Sequence, residues 1–442
     1  MNISGLSVAL FFLIMFLMPV PARAGDAPEG PKILTIEQAL EIAADRNRDI
    51  QKAREYFKWV RGKYVEERAA AFPKLTLTGS ASLLQDRTIM ISPVPLPDNM
   101  KMYSGEIGVT QTLFTWGKIG AAIRAAKEGF KSADEQLRLY RQATFRDVSI
   151  AFYDVLLSKE LHAIARQDLE QKGRHLEEAR RKFTAGVATD YEVLAAQVAV
   201  DNARPEAIRT ENQIRDSLDR LRFLLAFEGD GMDVTGKLEA ADAAPVPAYE
   251  VVYKTALERR PEVLDLRHRF SIAGELVTIA GAEDKPRLEF RGGYGWKGLE
   301  LGDMDVNGKA WNAGLFLSFP FFDGLSTRGK VAQAESDRNS LKIDEAKLAD
   351  SISLQAREAL NAVRESKEIV DALSGTVAQA EKLLYLSEKG YEFGVKIRLE
   401  VEDAELKLQQ AKGNLSRAWR DYRAARVNLL WVMGVLGEKA PL

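Results

Sequence analysis

Two acidic residues near the C-terminal end of the chain, Glu400 and Asp403, have the spacing that most suggests a functional site. Residues three apart lie on one face of a helix, so the two carboxylates would be neighbours there. Carboxylates gathered at the constriction of a pore favour cations and raise one another's pKa. The same spacing also occurs on an ordinary solvated helix face, which is the alternative interpretation.

The other side chains that could do chemistry lack the arrangement of a catalytic or metal site. His162 and His175 are thirteen residues apart and His268 is distant, so no pair has the i, i+4 spacing of helical metal ligands. There is no cysteine, no glycine-rich phosphate loop and no nucleophile elbow. The net charge of −2 gives no basic face for nucleic acid. We therefore expect no enzymatic activity, no cofactor, no metal and no nucleic-acid partner.

The N-terminal segment has the features of a secretory signal peptide. An apolar run at 6–17 is followed by Ala22-Arg23-Ala24, a small-x-small cleavage site. A membrane anchor is the alternative, but it needs about 20 apolar residues and this run is shorter. We expect residues 1–24 to be removed and the rest to be exported.

The rest of the chain is an internal duplication. An offset of 208 residues places 183–187 on 391–395, and an offset of 213 applies upstream. A register that is kept so long predicts that both halves are the same supersecondary unit. The predicted divisions are a first repeat at 25–227, a connector at 228–248, and a second repeat with the C-terminal tail at 249–442.

Each half contains one very long predicted helix. Two spans of more than a hundred residues lack proline, so nothing interrupts a helix there. Within the first span, apolar or small residues recur in alternating steps of four and three, which is the 3.5-residue period of coiled coils. The helices predicted at 118–183 and 326–391 would each be about 98 Å long. That length suits a coiled-coil rod or the wall of a tunnel.

Both long helices are predicted to end at a glycine. Gly186 and Gly394 can take the left-handed conformation that ends a helix. Thr189 can cap the helix that follows. Return helices at about 190–226 and 398–433 complete a helical hairpin in each half.

A pair of strand-like runs precedes each long helix. Residues 75–83 and 107–113 in the first half, and 288–296 and 314–319 in the second, alternate apolar with polar at a period of two. Runs of about 9–11 residues suit transmembrane barrel strands with one face to lipid and one to water. An ordinary soluble antiparallel sheet is the alternative.

The number of strands has a consequence for assembly. Four strands cannot close a barrel, because small closed barrels have about eight. Open sheet edges are not tolerated in hydrocarbon, so strands that span lipid would require several copies of the chain. Tyr294 and Trp296 would form part of an interfacial aromatic girdle. Loops between the strands are predicted at about 84–103 and 297–309.

The order of elements and the motifs resemble the TolC-type outer-membrane efflux protein family. QTLFTWG at 111–117 is similar to the family's Q-P-L-F-D-x-G element at the strand-to-helix junction, and FPFFDG at 319–324 is the second copy. The tip pattern F-x-x-G-V-A-T at 183–189 and E-V-L-x-A-Q at 192–197 also match. The resemblance covers about 35–436, nearly the whole exported chain.

The resemblance implies a mainly α-helical fold with a small β part. Long coiled-coil hairpins would form an α-barrel, and four strands per chain would contribute to a trimeric transmembrane β-barrel. It implies a passive exit duct for efflux or type I secretion in the outer membrane of a Gram-negative bacterium, with a large periplasmic part and no enzymatic activity. The expected partners are copies of the chain itself, outer-membrane lipid, a periplasmic adaptor and an inner-membrane pump. The alternative is a soluble periplasmic coiled-coil adaptor or scaffold.

The resemblance also implies a gate at the periplasmic end. A tyrosine and a basic residue would contact the neighbouring chain, and acidic residues would form a ring around the pore. The matching gate positions are Tyr391, Lys396, Glu400, Asp403 and Glu192. Lys396 stands where the family has arginine, so a bidentate clamp is lost. Glutamate replaces aspartate at Glu400 and Glu192. These differences predict a gate that is weaker or differently connected. The hairpin tips expected to contact an adaptor carry Gly186, Val187, Thr189, Gly394 and Val395.

Overall fold

The computed structural model describes residues 32–85, 100–229, 231–239 and 245–437. The predicted signal peptide and most of the predicted loop at 84–103 lie outside the described residues. The described part is mainly helical with a small amount of β-structure, as predicted.

Both halves fold into the same succession of long elements, which confirms the internal duplication. The first half comprises β1 (Lys32–Leu34), α1 (Ile36–Arg46), α2 (Arg48–Ala69), β2 (Lys74–Leu84), β3 (Met100–Phe114), α3 (Lys118–Thr184) and α4 (Asp190–Leu225). The second comprises β4 (Met232–Val234), α5 (Tyr249–Arg259), α6 (Pro261–Gly281), β5 (Arg287–Leu301), β6 (Met304–Ser318), α7 (Ser326–Glu392) and α8 (Arg398–Val432). α3 and α7 contain 67 residues each, so each is about 100 Å long.

The connector between the halves contains a short strand that the sequence pattern did not predict. β4 pairs in parallel with β1, with Ile33 opposite Asp233. Leu34 and Val234, at the ends of these strands, are buried in a core cluster together with Phe152 of α3. The start of the described chain is therefore tied to the middle of the sequence. The boundaries at 25–227, 228–248 and 249–442 stay a prediction.

A sharp reversal joins each strand pair to its long helix. Trp116 and Gly117 have φ values of 51° and 83°, and the equivalent residues Gly324 and Leu325 have 66° and 69°. Both copies thus need two successive left-handed residues, and each supplies only one glycine. The non-glycine residue costs about 1–2 kcal/mol in this conformation, which explains why a glycine is present in the junction motif of both halves.

One antiparallel sheet is formed by strands from both halves, in the order β2-β3-β5-β6. Neighbouring side chains along a strand point to opposite faces. The apolar face carries Leu75, Leu77, Ile107, Val109, Leu288, Phe290, Tyr294, Trp296, Trp311, Leu315 and Leu317. The charged face carries Thr76, Thr78, Glu106, Thr110, Arg287, Glu289, Arg291 and Asn312. On the charged face, Arg291 lies 2.7 Å from Glu289 and 5.0 Å from the ring centre of Phe316.

The predicted loop at 297–309 is wrong. β5 continues to Leu301 and β6 begins at Met304, so only Gly302 and Asp303 join them. Gly302 has a φ of 57°, as a two-residue hairpin loop requires at its first position. The prediction failed because the apolar residues change faces beyond Trp296, so the earlier alternation does not continue in phase.

The helices that adjoin the sheet follow the same order as the strands. α2 packs on α3, α3 on α6 and α6 on α7, and each of these helices is joined to one strand of the sheet. The sheet and the helix layer therefore end at corresponding elements, with β2 and α2 at one edge and β6 and α7 at the other. Among the described residues, no helix is both long and apolar enough to cross a membrane.

Candidate gate at the hairpin tips

Both helical hairpins turn at a glycine, as the sequence predicts. Gly186 and Gly394 have φ values of 76° and 71°. The N–H groups of Val187 and Val395 donate to the carbonyl five residues earlier, over 2.9 and 2.8 Å. This arrangement satisfies carbonyls at the end of each long helix. It also leaves the two valine side chains 75% and 81% exposed at the tips.

Glu192 and Glu400 occupy equivalent places at the start of the return helices. The carboxylate of Glu192 accepts from the N–H of Thr189 over 2.9 Å, and the Thr189 hydroxyl accepts from the N–H of Glu192. The carboxylate of Glu400 accepts from the N–H of Ile397 over 3.1 Å. Both glutamates therefore cap their own helix, and a glutamate at this third helical position is typical of a capping box.

Glu400 and Asp403 are both exposed, and each has a lysine partner nearby in the chain, one in the tip and one on α8. Lys396 Nζ lies 3.2 Å from Glu400, and Lys407 Nζ lies 2.6 Å from Asp403. The N–H of Ile397 and then Lys396 lower the pKa of Glu400 below its ordinary value. Within one chain, these local donors stabilise the charged form of Glu400. The expected rise in pKa among carboxylates gathered at a pore stays a prediction.

The two gate positions that were expected to contact a neighbouring chain make contacts within their own chain. The stem of Lys396 folds back over Gly390, where a Cβ atom would lie 2.8 Å from Lys396 Cγ. Lys182 Nζ donates to the Tyr391 hydroxyl over 3.3 Å and lies 5.5 Å from the centre of its ring. Because Lys182 belongs to α3 and Tyr391 to α7, this contact joins the two hairpins.

Sequence reasoning missed the charged residues that complete this junction. Arg398 lies 3.8 Å from Glu178 of the first hairpin and 5.9 Å from the ring centre of Tyr391. Glu178 also pairs with Lys182 over 2.8 Å, and this bond lowers the pKa of Glu178. The same bond, with a smaller contribution from the Tyr391 hydroxyl, raises the pKa of Lys182. The sequence could have marked this junction, because Arg398 is equivalent to Asp190 and the charge is therefore reversed between the two halves of the chain.

A second polar contact joins the hairpins further from the tips. The side chain of Glu405 on α8 is only 7% exposed; it accepts from Gln171 and lies 2.9 Å from His175 Nε2. Gln409 donates to Asp168, about 24 Å along α3 from its end. His175 is thus part of a contact between helices, and no group of His, Cys and acidic residues suited to a metal is found in the described ranges.

Comparison with known proteins identifies the family. The sequence matches the family described as outer membrane efflux protein over residues 39–226 and 252–435. The chain therefore belongs to the outer membrane efflux protein family. It is 23% identical over 410 residues to the outer membrane protein TolC of Vibrio cholerae. The aligned residues cover 91% of this chain and 88% of that protein. It is 26% identical over 353 residues to the alkaline protease secretion protein AprF of Pseudomonas aeruginosa, covering 76% and 70%.

A solved structure shows the same fold. The crystal structure of the Campylobacter jejuni CmeC outer membrane channel has a TM-score of 0.80 at 15% identity and covers 92% of this chain and 87% of that one. Together these findings confirm the predicted family, the mainly helical duplicated fold and an outer-membrane channel protein of a Gram-negative bacterium. They favour the channel over the soluble adaptor.

Proposed function

We propose that three copies of the chain form one continuous duct, which lets cargo leave the cell passively through the outer membrane. The sheet carries this proposal. It has an apolar face suited to lipid, a charged face suited to a water-filled lumen, and one edge at β2 and another at β6. Four strands cannot close, and lipid does not tolerate open edges. Pairing of β2 with β6 of the next copy removes both edges.

The dimensions of the elements suit this arrangement. A strand of 15 residues, such as β5, is about 50 Å long and rises about 35 Å when tilted by about 45°, which exceeds an apolar band of about 25 Å. Tyr294 and Trp311 are directly opposite each other on the apolar face, where they would meet the lipid headgroups. The helices of about 100 Å then extend the duct through the periplasm. Twelve strands from three copies are supported by the membership of the family.

The hairpin tips provide a surface for a periplasmic adaptor. Val187, Phe393 and Val395 are each at least 75% exposed, and exposed apolar clusters of this kind favour protein contacts. Gly186 and Gly394 set the shape of the tips and Thr189 caps one of them. An inner-membrane pump would load the duct through the adaptor. The relatives named above include a secretion protein, which supports polypeptide cargo as well as small molecules.

The gate is proposed to open when the second hairpin leaves the first. The contacts that would break are Lys182–Tyr391, Arg398–Glu178 and the Glu405 cluster, which extend well above the tips. Tyr391, Lys396, Glu400, Asp403 and Glu192 remain the residues proposed to face the neighbouring copies. Opening would therefore cost more than the tip contacts alone, although the coiled-coil bodies of the hairpins stay intact.

Chemical cross-linking of introduced cysteines tests the number of chains in the assembly. The chain has no cysteine, so introduced cysteines react without background. We would combine Thr78→Cys on β2 with a single second cysteine on the same face of β6, at position 308, 310, 312 or 314, and add a bismaleimide to outer membranes. We expect one of these registers to give a ladder that stops at three chains, whereas Thr78→Cys alone gives none. A ladder beyond three chains, or a protein released by an alkaline wash, would contradict the proposal.

A further inference from the structure

The net charge of the sheet lies on one of its two faces. Within the described strands, the charged face, which would line the lumen, carries four cations and two carboxylates: Lys74, Arg287, Arg291, Lys297, Glu106 and Glu289. The apolar face carries two charges of each sign near its outer end: Lys101, Lys309, Glu300 and Asp305. The charged face therefore has a surplus of positive charge, although the whole chain has a net charge of −2.

The exposure of the side chains strengthens this surplus. The four cations of the charged face are exposed, whereas Glu106 and Glu289 are half-buried. The carboxylate of Glu289 lies 2.7 Å from Arg291 and 3.7 Å from Arg287, so two arginines enclose it. Glu106 lies across Gly293, where an added Cβ would meet its carboxylate. A solute in the lumen would therefore encounter mainly positive charge.

The cations of β5 are spread along the length of the strand. Arg287, Arg291 and Lys297 are separated by four and six residues, which corresponds to about 13 Å and about 20 Å along the strand. A tilt of about 45° reduces these separations to about 9 Å and about 14 Å along the axis of a barrel. Three copies of the chain would turn each cation into a ring. The Debye length is about 8 Å at physiological ionic strength, so an ion would scarcely leave the field of one ring before it entered the next.

We propose that the β-section of the lumen is an anion filter, in which Arg287, Arg291 and Lys297 favour inorganic anions and negatively charged organic cargo. This inference rests on the proposed duct. Rings of arginine or lysine favour anions in pores, and a wall of low dielectric constant focuses the field of the charges that line it. The filter opposes the acidic residues proposed at the periplasmic gate, so the two ends of the duct differ in the charge that they favour.

Two substitutions of opposite sign on the charged face test the proposal. Reversal potentials of the full-length exported protein would be measured in planar bilayers under a gradient of potassium chloride. The surplus is two positive charges per chain, and Lys297→Gln halves it. We therefore expect Lys297→Gln to lower the ratio of chloride to potassium permeability by about twofold or more, and Glu106→Gln to raise it by about 1.5-fold.

The matched control is a lysine on the other face at the same level. Lys309 is paired with Trp296, next to Lys297 in the chain, and lies on the apolar face. Lys309→Gln should leave the permeability ratio unchanged. Both shifts on the charged face should shrink when the salt is raised from about 0.1 M to about 1 M, because the Debye length falls from about 10 Å to about 3 Å.

The outcomes separate the filter from the duct. An unchanged ratio in both variants of the charged face, or equal shifts from Lys297→Gln and Lys309→Gln, would overturn the filter and leave the duct in place. Either variant of the charged face decides the matter alone if the other does not insert. A wild type that gives no channels overturns the duct itself.

Discussion

Removal of the Glu405 carboxylate should loosen the second hairpin from the first. The side chain is 7% exposed, accepts from Gln171 and faces His175 across 2.9 Å. Hydrogen bonds to a buried charged group contribute about 1.5–3 kcal/mol, and loss of one partner leaves the others unsatisfied. We expect Glu405→Ala to lower the free energy of local opening of α8 by about 2–3 kcal/mol, or about 30- to 150-fold in the opening equilibrium.

Hydrogen exchange measured by mass spectrometry on the purified protein would test this expectation. Peptides from the first half of α8 should exchange faster by that factor, whereas peptides from the sheet should not change. Asp403→Ala is the matched control, since Asp403 lies two residues away on the same helix but its pair with Lys407 is solvent-exposed. Such i, i+4 pairs contribute about 0.3–0.5 kcal/mol, so exchange should rise by less than about threefold.

Equal effects of the two substitutions would refute this reasoning. It would mean that the buried carboxylate contributes no more to the contact between hairpins than a surface ion pair does. The hairpins would then be held together by apolar packing alone, and the Glu405 cluster would have no part in the gate.

Three further predictions concern the tips. Gly186→Ala or Gly394→Ala should lower the free energy of local unfolding by about 1–2 kcal/mol, because φ is positive at both glycines. The control Gly375→Ala lies within a helix and has no neighbours within 4 Å, so it should raise this free energy by up to about 1 kcal/mol. Hydrogen exchange distinguishes the two signs. Since the folded-state pKa of Glu400 lies below its ordinary value of 4.5, its capping stabilises the tip above that pH and is lost as the pH falls through the lowered pKa. The protection factor of the first turn of α8, which corrects exchange for its intrinsic pH dependence, should therefore fall on acidification, and Glu400→Gln should flatten this dependence. Glu400→Lys with Asp403→Lys should reduce the cation preference of single-channel conductance, and unchanged selectivity would remove both residues from the pore.

The ends of the helices could be predicted from the sequence because they depend on local chemistry. Helix α3 was expected at 118–183 and is found at Lys118–Thr184, and α8 was expected to end near 433 and ends at Val432. A glycine that must be left-handed and a residue that caps the next helix lie next to each other in the chain. Because the two halves of the chain repeat the same pattern, the sequence indicates each helix boundary twice.

The contacts between hairpins could not be predicted because they are not repeated and join distant positions. Lys182 is equivalent to Gly390, so the contact with Tyr391 has no counterpart that could mark it. Two equivalent arginine contacts are also absent from the sequence pattern. Arg54 and Arg267 donate to the carbonyls of Ala44 and Leu257, ten residues upstream in both halves. Only the packing of α1 on α2 and of α5 on α6 brings those atoms together.

In the proposed trimeric duct, the one-to-one joining of strands and helices would set the relative widths of the two sections. Adjacent strands are about 4.8 Å apart, or about 6 Å around the circumference when tilted, whereas packed helices are about 8–10 Å apart. Equal numbers of each make the helical section roughly half as wide again as the β-section, and the left-handed pairs at Trp116-Gly117 and Gly324-Leu325 lie at this change of diameter. Because hydrogen-bonded strands cannot spread, the membrane section of this proposed duct would limit the size of cargo once the periplasmic gate is open, and opening the gate further would not admit anything larger.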